Sequence, residues 1–204
     1  MVGTAVSDEV IVICSGRLSV ARVTGAVSGT VIITAAGEIS DIRGIVEPVI
    51  VDNPYTSLIY IDMSRDDFKT GGSSFAQILN MVGDEAPTVK DASYFADVFN
   101  TIQGLIKKGK ILAGHDISAG GMITTLLEMC FSNTSGGLTV DLSALNDKDT
   151  VKILFSQNPG ILIQVIYRVA ADVVRESRHQ QAVVQVSRLC HPDGLPIQVC
   201  TAAS

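Results

Sequence analysis

The sequence predicts an α+β fold, a mixed β-sheet flanked by helices, and three observations carry that prediction. Short β-branched runs bounded by glycine recur along the chain and read as strands. Between them lies one strongly amphipathic stretch, residues 91–108, with the spacing of a helix that buries a single face. No internal repeat and no low-complexity tract breaks the alternation, so strands and helices are expected around one sheet.

Taken in order, residues 9–35 give short strands at Val10 to Cys14, Leu18 to Val23 and Thr30 to Thr34, punctuated by Gly16, Gly25 and Gly29. Nothing there suggests chemistry. Asp52-Asn53-Pro54-Tyr55 is a turn, and Ser57 to Asp62 is a buried strand. A glycine-rich turn, Gly71-Gly72-Ser73-Ser74, then leads into a helix over Phe75 to Met81, capped by Ser73 or Ser74. Asp91 caps the next helix, whose stripe is Phe95, Val98, Phe99, Ile102, Leu105 and Ile106, and Lys107, Lys108 and Gly109 close it. Ile111 to Ala113 is a short strand, Gly114 to Gly121 a second glycine-rich turn, and Met122, Ile123, Leu126, Leu127 and Cys130 recur at helical spacing behind it. Leu138 to Leu142 is a strand, Asp147 to Phe155 a short helix, Asn158-Pro159-Gly160 a turn and Ile161 to Tyr167 another buried strand. A polar helix over Arg168 to Gln181 and strands near Val183 to Val186 and Pro196 to Cys200 complete the chain.

Composition narrows the function classes. At 204 residues with 47% hydrophobic and 18% charged side chains, the chain can bury a proper core without staples. A net charge of −6 with no block of lysine or arginine argues against nucleic acid or an anionic membrane as partner. A small anionic ligand remains compatible, because a few directed amides outweigh a mildly negative global field. The four cysteines show no CxxC spacing and read as free thiols of a reducing compartment. A zinc site from Cys190, His191 and Cys200 matches no common finger spacing. No apolar run reaches the roughly 18–20 residues that span a bilayer, and Asp8 and Glu9 stand where a signal peptide carries positive charge, so the cytoplasm is expected.

The two glycine-rich turns carry the chemistry. Each precedes a helix, where the first amides have no internal partner and the helix dipole is positive. Gly114-His115-Asp116-Ile117-Ser118-Ala119-Gly120-Gly121 is therefore an anion cradle, with Gly71, Gly72 and Ser73 as its counterpart. The same glycines also suit close helix contact or a left-handed turn. His115 has no paired base or nucleophile in sequence and reads as a positioning residue or a ring bonded to a nearby carbonyl. Asp116 caps the following turn or borders the ligand; a single carboxylate is a poor magnesium site. Asp62, Asp66 and Asp67 read as a solvated acidic loop, with Asp62 able to face the cleft.

Five ordered segments, SLIYIDMS, GGSSFAQIL, VGDEAPTVKD, ILAGHDISAGGMITTLLEMCF and KILFSQNPGILIQV, resemble the large phosphoribosylformylglycinamidine synthase of purine biosynthesis. More narrowly, they are similar to the second of its two C-terminal aminoimidazole-ribonucleotide-synthetase-like domains. The match covers about Ser40 to Val165, and residues 1–36 and 168–204 do not follow the pattern. The chain is thus expected to comprise a β-rich entry segment at 1–37 and a terminal helix and strands of the same domain at 168–204, both read from residue pattern, around a synthetase-like core at 38–167 that the resemblance implies. The resemblance implies an ATP-dependent carbon–nitrogen ligase, using ATP and magnesium, that converts formylglycinamide ribonucleotide and glutamine to the amidine through a phosphorylated amide attacked by ammonia. No Cys-His-Glu glutaminase motif is present, so a glutamine amidotransferase partner and the remaining synthase domains are expected, with no cofactor assigned to this chain itself.

Carried across, the resemblance makes Gly71, Gly72 and Ser73 one lip of a phosphate-binding cleft for a ribonucleotide or nucleotide. Ser118, Ala119, Gly120 and Gly121 form the other lip, with His115 and Asp116 at its border. No residue of the chain is assigned as catalytic, and the isolated domain is expected to be inactive. The alternative is a structural module that binds no ligand and packs against a partner domain. A free-standing selenophosphate synthetase or thiamine-phosphate kinase piece lacks its acidic metal-binding segment here. Removal from its neighbours should leave apolar surface and favour self-association.

Overall fold

β-Branched residues favour extended backbone, and the first two elements are the strands β1 (Glu9–Cys14) and β2 (Arg17–Arg22). They pair antiparallel, with Glu9 opposite Arg22 and Cys14 opposite Arg17. The computed structural model describes residues 9–14, 17–22, 41–53, 55–83, 85–133, 137–140, 142, 143, 145, 147–166, 168, 170 and 183–190. The expected strands at Thr30 to Thr34 and Pro196 to Cys200, and most of the helix expected over Arg168 to Gln181, lie outside those residues. So do His191 and Cys200 of the zinc trio. The chain divides into two compact units, residues 1–45 and 46–204. The hairpin and a short 3-10 turn at Ile42–Gly44, capped by Asp41, belong to the first.

The second unit is built on a five-stranded sheet. Its described elements are β3 (Thr56–Asp62), α1 (Ser74–Ile78), α2 (Ala92–Lys107), β4 (Ile111–Asp116), α3 (Gly121–Cys130), β5 (Gly137–Val140), α4 (Thr150–Phe155), β6 (Gly160–Ile166) and β7 (Val183–Cys190). The strand order is β4-β6-β3-β7-β5. The α+β class holds, and the strand sense is sharpened from mixed to antiparallel at every described pairing. The reason lies in the crossovers: β3, β4 and β5 run the same way but land one strand apart, and β6 and β7, running oppositely, fill the gaps.

β3 is apolar at four consecutive positions because both of its faces are covered. Ile59 and Ile61, with Ile163 and Val165 of β6, meet Val98, Ile102 and Leu105 of α2. Leu58 and Tyr60, with Leu162, meet Met122, Leu126 and Met129 of α3 and Ile153 of α4. The sheet is thus a middle layer, and the period of two along β3 and β6 sorts each side chain to its helix. Gln164 is the polar exception on β6. Fully buried, it accepts from Val51 N (2.8 Å) and donates to Val51 O (2.9 Å) and Thr56 Oγ1 (2.8 Å), tying the loop before β3 to the sheet.

Candidate functional site

The strand expected to stop at Ala113 continues through Gly114, His115 and Asp116, so the first part of the second glycine-rich turn is sheet. Leu162 and Ile161 of β6 pair with His115 and Asp116 and hold them extended. On the outer edge of β4, Gly114 N donates to Glu47 O (3.1 Å), and an added Cβ would lie 3.2 Å from Val46. His115 is largely buried. Its Nδ1 lies 2.9 Å from Asp116 O, and its Nε2 lies 3.1 Å from Glu128 Oε2 on α3. The ring therefore braces the end of β4 against α3. The Asp116 carboxylate is 74% exposed and caps no helix, while its carbonyl also accepts from Thr125 Oγ1 (3.0 Å).

Beyond β4 the chain is drawn back by Ile117 N, which donates to Gly160 O (2.8 Å). Gly121 N closes a turn on Ser118 O (3.0 Å), and α3 starts at Gly121 with no side-chain cap. Gly120 (φ 92°) and Gly121 (φ 77°) both adopt left-handed backbone. A Cβ on Gly120 would collide with Thr124, and one on Gly121 would sit 2.6 Å from Leu154 O. Gly120 is thus explained by backbone shape and by Thr124, and Gly121 by backbone shape and the close approach of α3 to the end of α4.

The first glycine-rich turn differs from expectation in one respect. Gly71 N donates to Glu85 O (3.0 Å), Gly72 N to Val82 O (2.7 Å) and Ser73 N to Thr70 O (3.1 Å). The amides expected to face a ligand are already bonded, those of Gly71 and Gly72 to the chain that follows α1 as it doubles back and that of Ser73 within the turn itself. Gly71 must be glycine there, since a Cβ would strike the Glu85 carbonyl. Ser73 caps α1 as predicted, its Oγ accepting from Ala76 N (3.2 Å). The donors of Ser74, by contrast, find their partner outside this turn.

The two turns meet at Gln157, to which the sequence motif containing it assigns no role. In the amide orientation that satisfies its neighbours, Gln157 Oε1 accepts from Ser74 N (2.8 Å), Ser74 Oγ (3.0 Å) and Gly120 N (3.0 Å). Three donors from two turns converge on one acceptor oxygen. The stacked rings of Phe75 and Phe155, 4.5 Å between centroids, hold α1 against the end of α4 and fix this junction. Nothing local in the sequence announces this role, because the turns that Gln157 joins lie far up the chain.

Asn158, the next residue, is buried and staples the loop that leads to the first turn. Its Nδ2 donates to Asp67 O (2.9 Å) and its Oδ1 accepts from Lys69 N (3.2 Å). The same loop corrects the reading of Asp66 as solvated, while Asp67 is exposed as that reading expects. The Asp66 side chain is fully buried between Lys90 Nζ (2.7 Å) and Lys69 Nζ (2.9 Å), and it accepts from Thr88 N and Oγ1. Desolvation alone would raise its pKa; the Lys90 and Lys69 ammoniums and the Thr88 bonds overcome that and hold it well below the usual carboxylate range. Asp62 is engaged locally. Its carboxylate caps the turn by accepting from Ser64 N, Ser64 Oγ and Arg65 N. Tyr94 donates to Asp62 O (2.8 Å), and burial, with the Asp62 charge adding, pushes the phenol up to about 12.

Among the described residues no three His, Cys, Asp or Glu side chains come together in metal-binding geometry. The junction suits one oxyanion oxygen and does not by itself fit magnesium or a metal-bound triphosphate. No helix of the described residues is long and apolar enough to cross a membrane.

A family model described as AIR synthase related protein, C-terminal domain, matches residues 66–189. Among solved structures, the chain is similar to Thermotoga maritima PurL complexed with ATP, at 15% identity and a TM-score of 0.53 over 72% of this chain and 23% of that one. It is similar to the same protein complexed with FGAR, at 18% identity and a TM-score of 0.52 over 72% and 26%. It is also similar to PurL complexed with ADP, at 14% identity and a TM-score of 0.51 over 74% and 24%. The chain thus spans about a quarter of the length of the PurL chains it matches, and at these identities the likeness is one of fold.

Proposed function

The chain belongs to the family of AIR synthase related protein C-terminal domains, and from that membership we propose that it is one domain of an ATP-dependent purine-biosynthesis ligase. The reaction is the conversion of formylglycinamide ribonucleotide and glutamine to the amidine, with ammonia delivered by a separate glutaminase. Within it, the junction of Ser74 and Gly120 binds a phosphate oxygen of a ribonucleotide or nucleotide. The observation that carries this reading is the convergence of two amides and a hydroxyl on a single point. That array matches an acceptor-only oxygen and becomes stronger when the oxygen is charged.

In this reading the residues of the junction bind and orient the ligand. His115 sets the angle between β4 and α3, and so the position of Gly120. ATP and magnesium, when bound in the whole ligase, supply the phosphoryl chemistry, with ligands from its other domains. The isolated domain is accordingly inactive.

A second reading, a structural module that binds no ligand, is favoured by the internally bonded amides of Gly71, Gly72 and Ser73 and by the self-satisfied junction. Titration of the 15N-labelled chain with inorganic phosphate, formylglycinamide ribonucleotide and ADP separates the two. Saturable shifts of the Ser74 and Gly120 amides support the phosphate site, and their absence with all three ligands supports the structural module. A response to ADP exceeding that to the ribonucleotide assigns an auxiliary nucleotide site.

A further inference from the structure

Gln157 belongs to neither glycine-rich turn, yet its amide oxygen sits where the donors of both converge. The backbone around it is pinned. Ser156 N donates to Lys152 O (3.0 Å), Asn158 is bonded into the 64–69 loop, and Pro159 O accepts from Met63 N (3.0 Å). The side chain itself is only half-buried. It can therefore leave by rotation of its own torsions while the junction keeps its shape.

Resting on the phosphate reading above, we propose that Gln157 is a built-in competitor for that phosphate. Its carbonyl oxygen has the chemistry of a ligand oxygen, an acceptor with no proton to give, but it carries no charge. A phosphate oxygen forms the stronger bonds to the same donors, yet it must first displace three that already exist. The domain's affinity for phosphate is thereby set by one side chain of the α4–β6 connection, and any contact that draws Gln157 outward switches the site on.

Titration of the full chain with inorganic phosphate, read at the Ser74 and Gly120 amide resonances, tests this. Gln157→Ala should reach its midpoint at a phosphate concentration about fivefold lower than the wild type, or lower still, as expected for removing one net hydrogen bond. Gln157→Glu keeps an acceptor at the junction and so keeps the fold, but its fixed negative charge should abolish the phosphate-induced shifts. Equal midpoints for wild type and Gln157→Ala, with both amides shifting, overturn the competitor and leave the phosphate site standing. No shift in the wild type or either variant overturns both. Should Gln157→Ala fail to fold, the wild type and Gln157→Glu decide the matter, since equal midpoints for those two also overturn the competitor.

Discussion

Single side chains decide more of this domain than their sequence context suggests. Asp66 stands in a run of acidic residues that looks solvated, yet it is the buried centre of an ion cluster joining residues 66–69 to residues 88–90. Sequence reading missed it because Lys90 and Thr88 lie more than twenty positions away, beyond any local pattern. Because its folded pKa is depressed, its stabilisation is complete above the unfolded carboxylate value of about 3.9 and fades as the pH falls through that value toward the folded one. Asp66→Asn should cost about 2–3 kcal/mol at neutral pH, since it leaves two ammoniums facing a neutral amide, one of them half in water. Urea unfolding of wild type and variant between pH 7 and pH 3 checks this: the gap should narrow below about pH 4, and a gap independent of pH would remove the ionic account. Gly120 and Gly121, by contrast, were legible as special positions. Their left-handed backbone follows from residue type, while the neighbours that forbid a Cβ do not.

At the scale of elements, periodicity was a faithful guide wherever a segment has one strong face or two. The α2 stripe and its Asp91 cap emerge as read, with the Asp91 carboxylate accepting from Tyr94 N (3.0 Å). Asp91 also meets Arg65 Nη1 at 3.2 Å, and the Arg65 guanidinium lies 4.9 Å over the Tyr94 ring. Asp91→Ala should lower the stability of the domain by about 1 kcal/mol, the usual worth of a lost N-cap. Thermal unfolding followed by far-ultraviolet circular dichroism measures it, and Asp91→Ser should recover most of the loss. The strand β4 was underread because its last residues are polar and lie on an edge, where a strand end and a turn share the same composition. The link from α4 to β6 was underread for the opposite reason. Ser156-Gln157-Asn158 looks like an ordinary polar turn, but two of its three side chains are buried and the third joins the two glycine-rich turns.

For the whole molecule, class was legible and strand order was not, because nothing local tells β3 that its neighbours are β6 and β7. What the surface exposes bears on assembly. Ile78, Leu79, Met81 and Val82 stand in one short stretch with exposures of 79%, 51%, 69% and 60%. They lie just beyond the turn that carries Ser74, and a run of this kind is characteristic of a contact surface. The isolated chain should therefore self-associate, with a sedimentation coefficient that rises with concentration. Ile78→Glu combined with Met81→Glu should abolish the rise. A single monomeric species of the wild type across the range would contradict the expectation.

The central place of β3 has a consequence in time. Its partners lie roughly a hundred residues further along, so the most apolar strand leaves the ribosome well before either neighbour exists to cover its hydrogen-bonding edges. Helices α2 and α3 can shield its faces in the interval, but not those edges. Nascent chains stalled before Gly160 should therefore be the aggregation-prone species, and chaperone demand should fall once β6 has been synthesised.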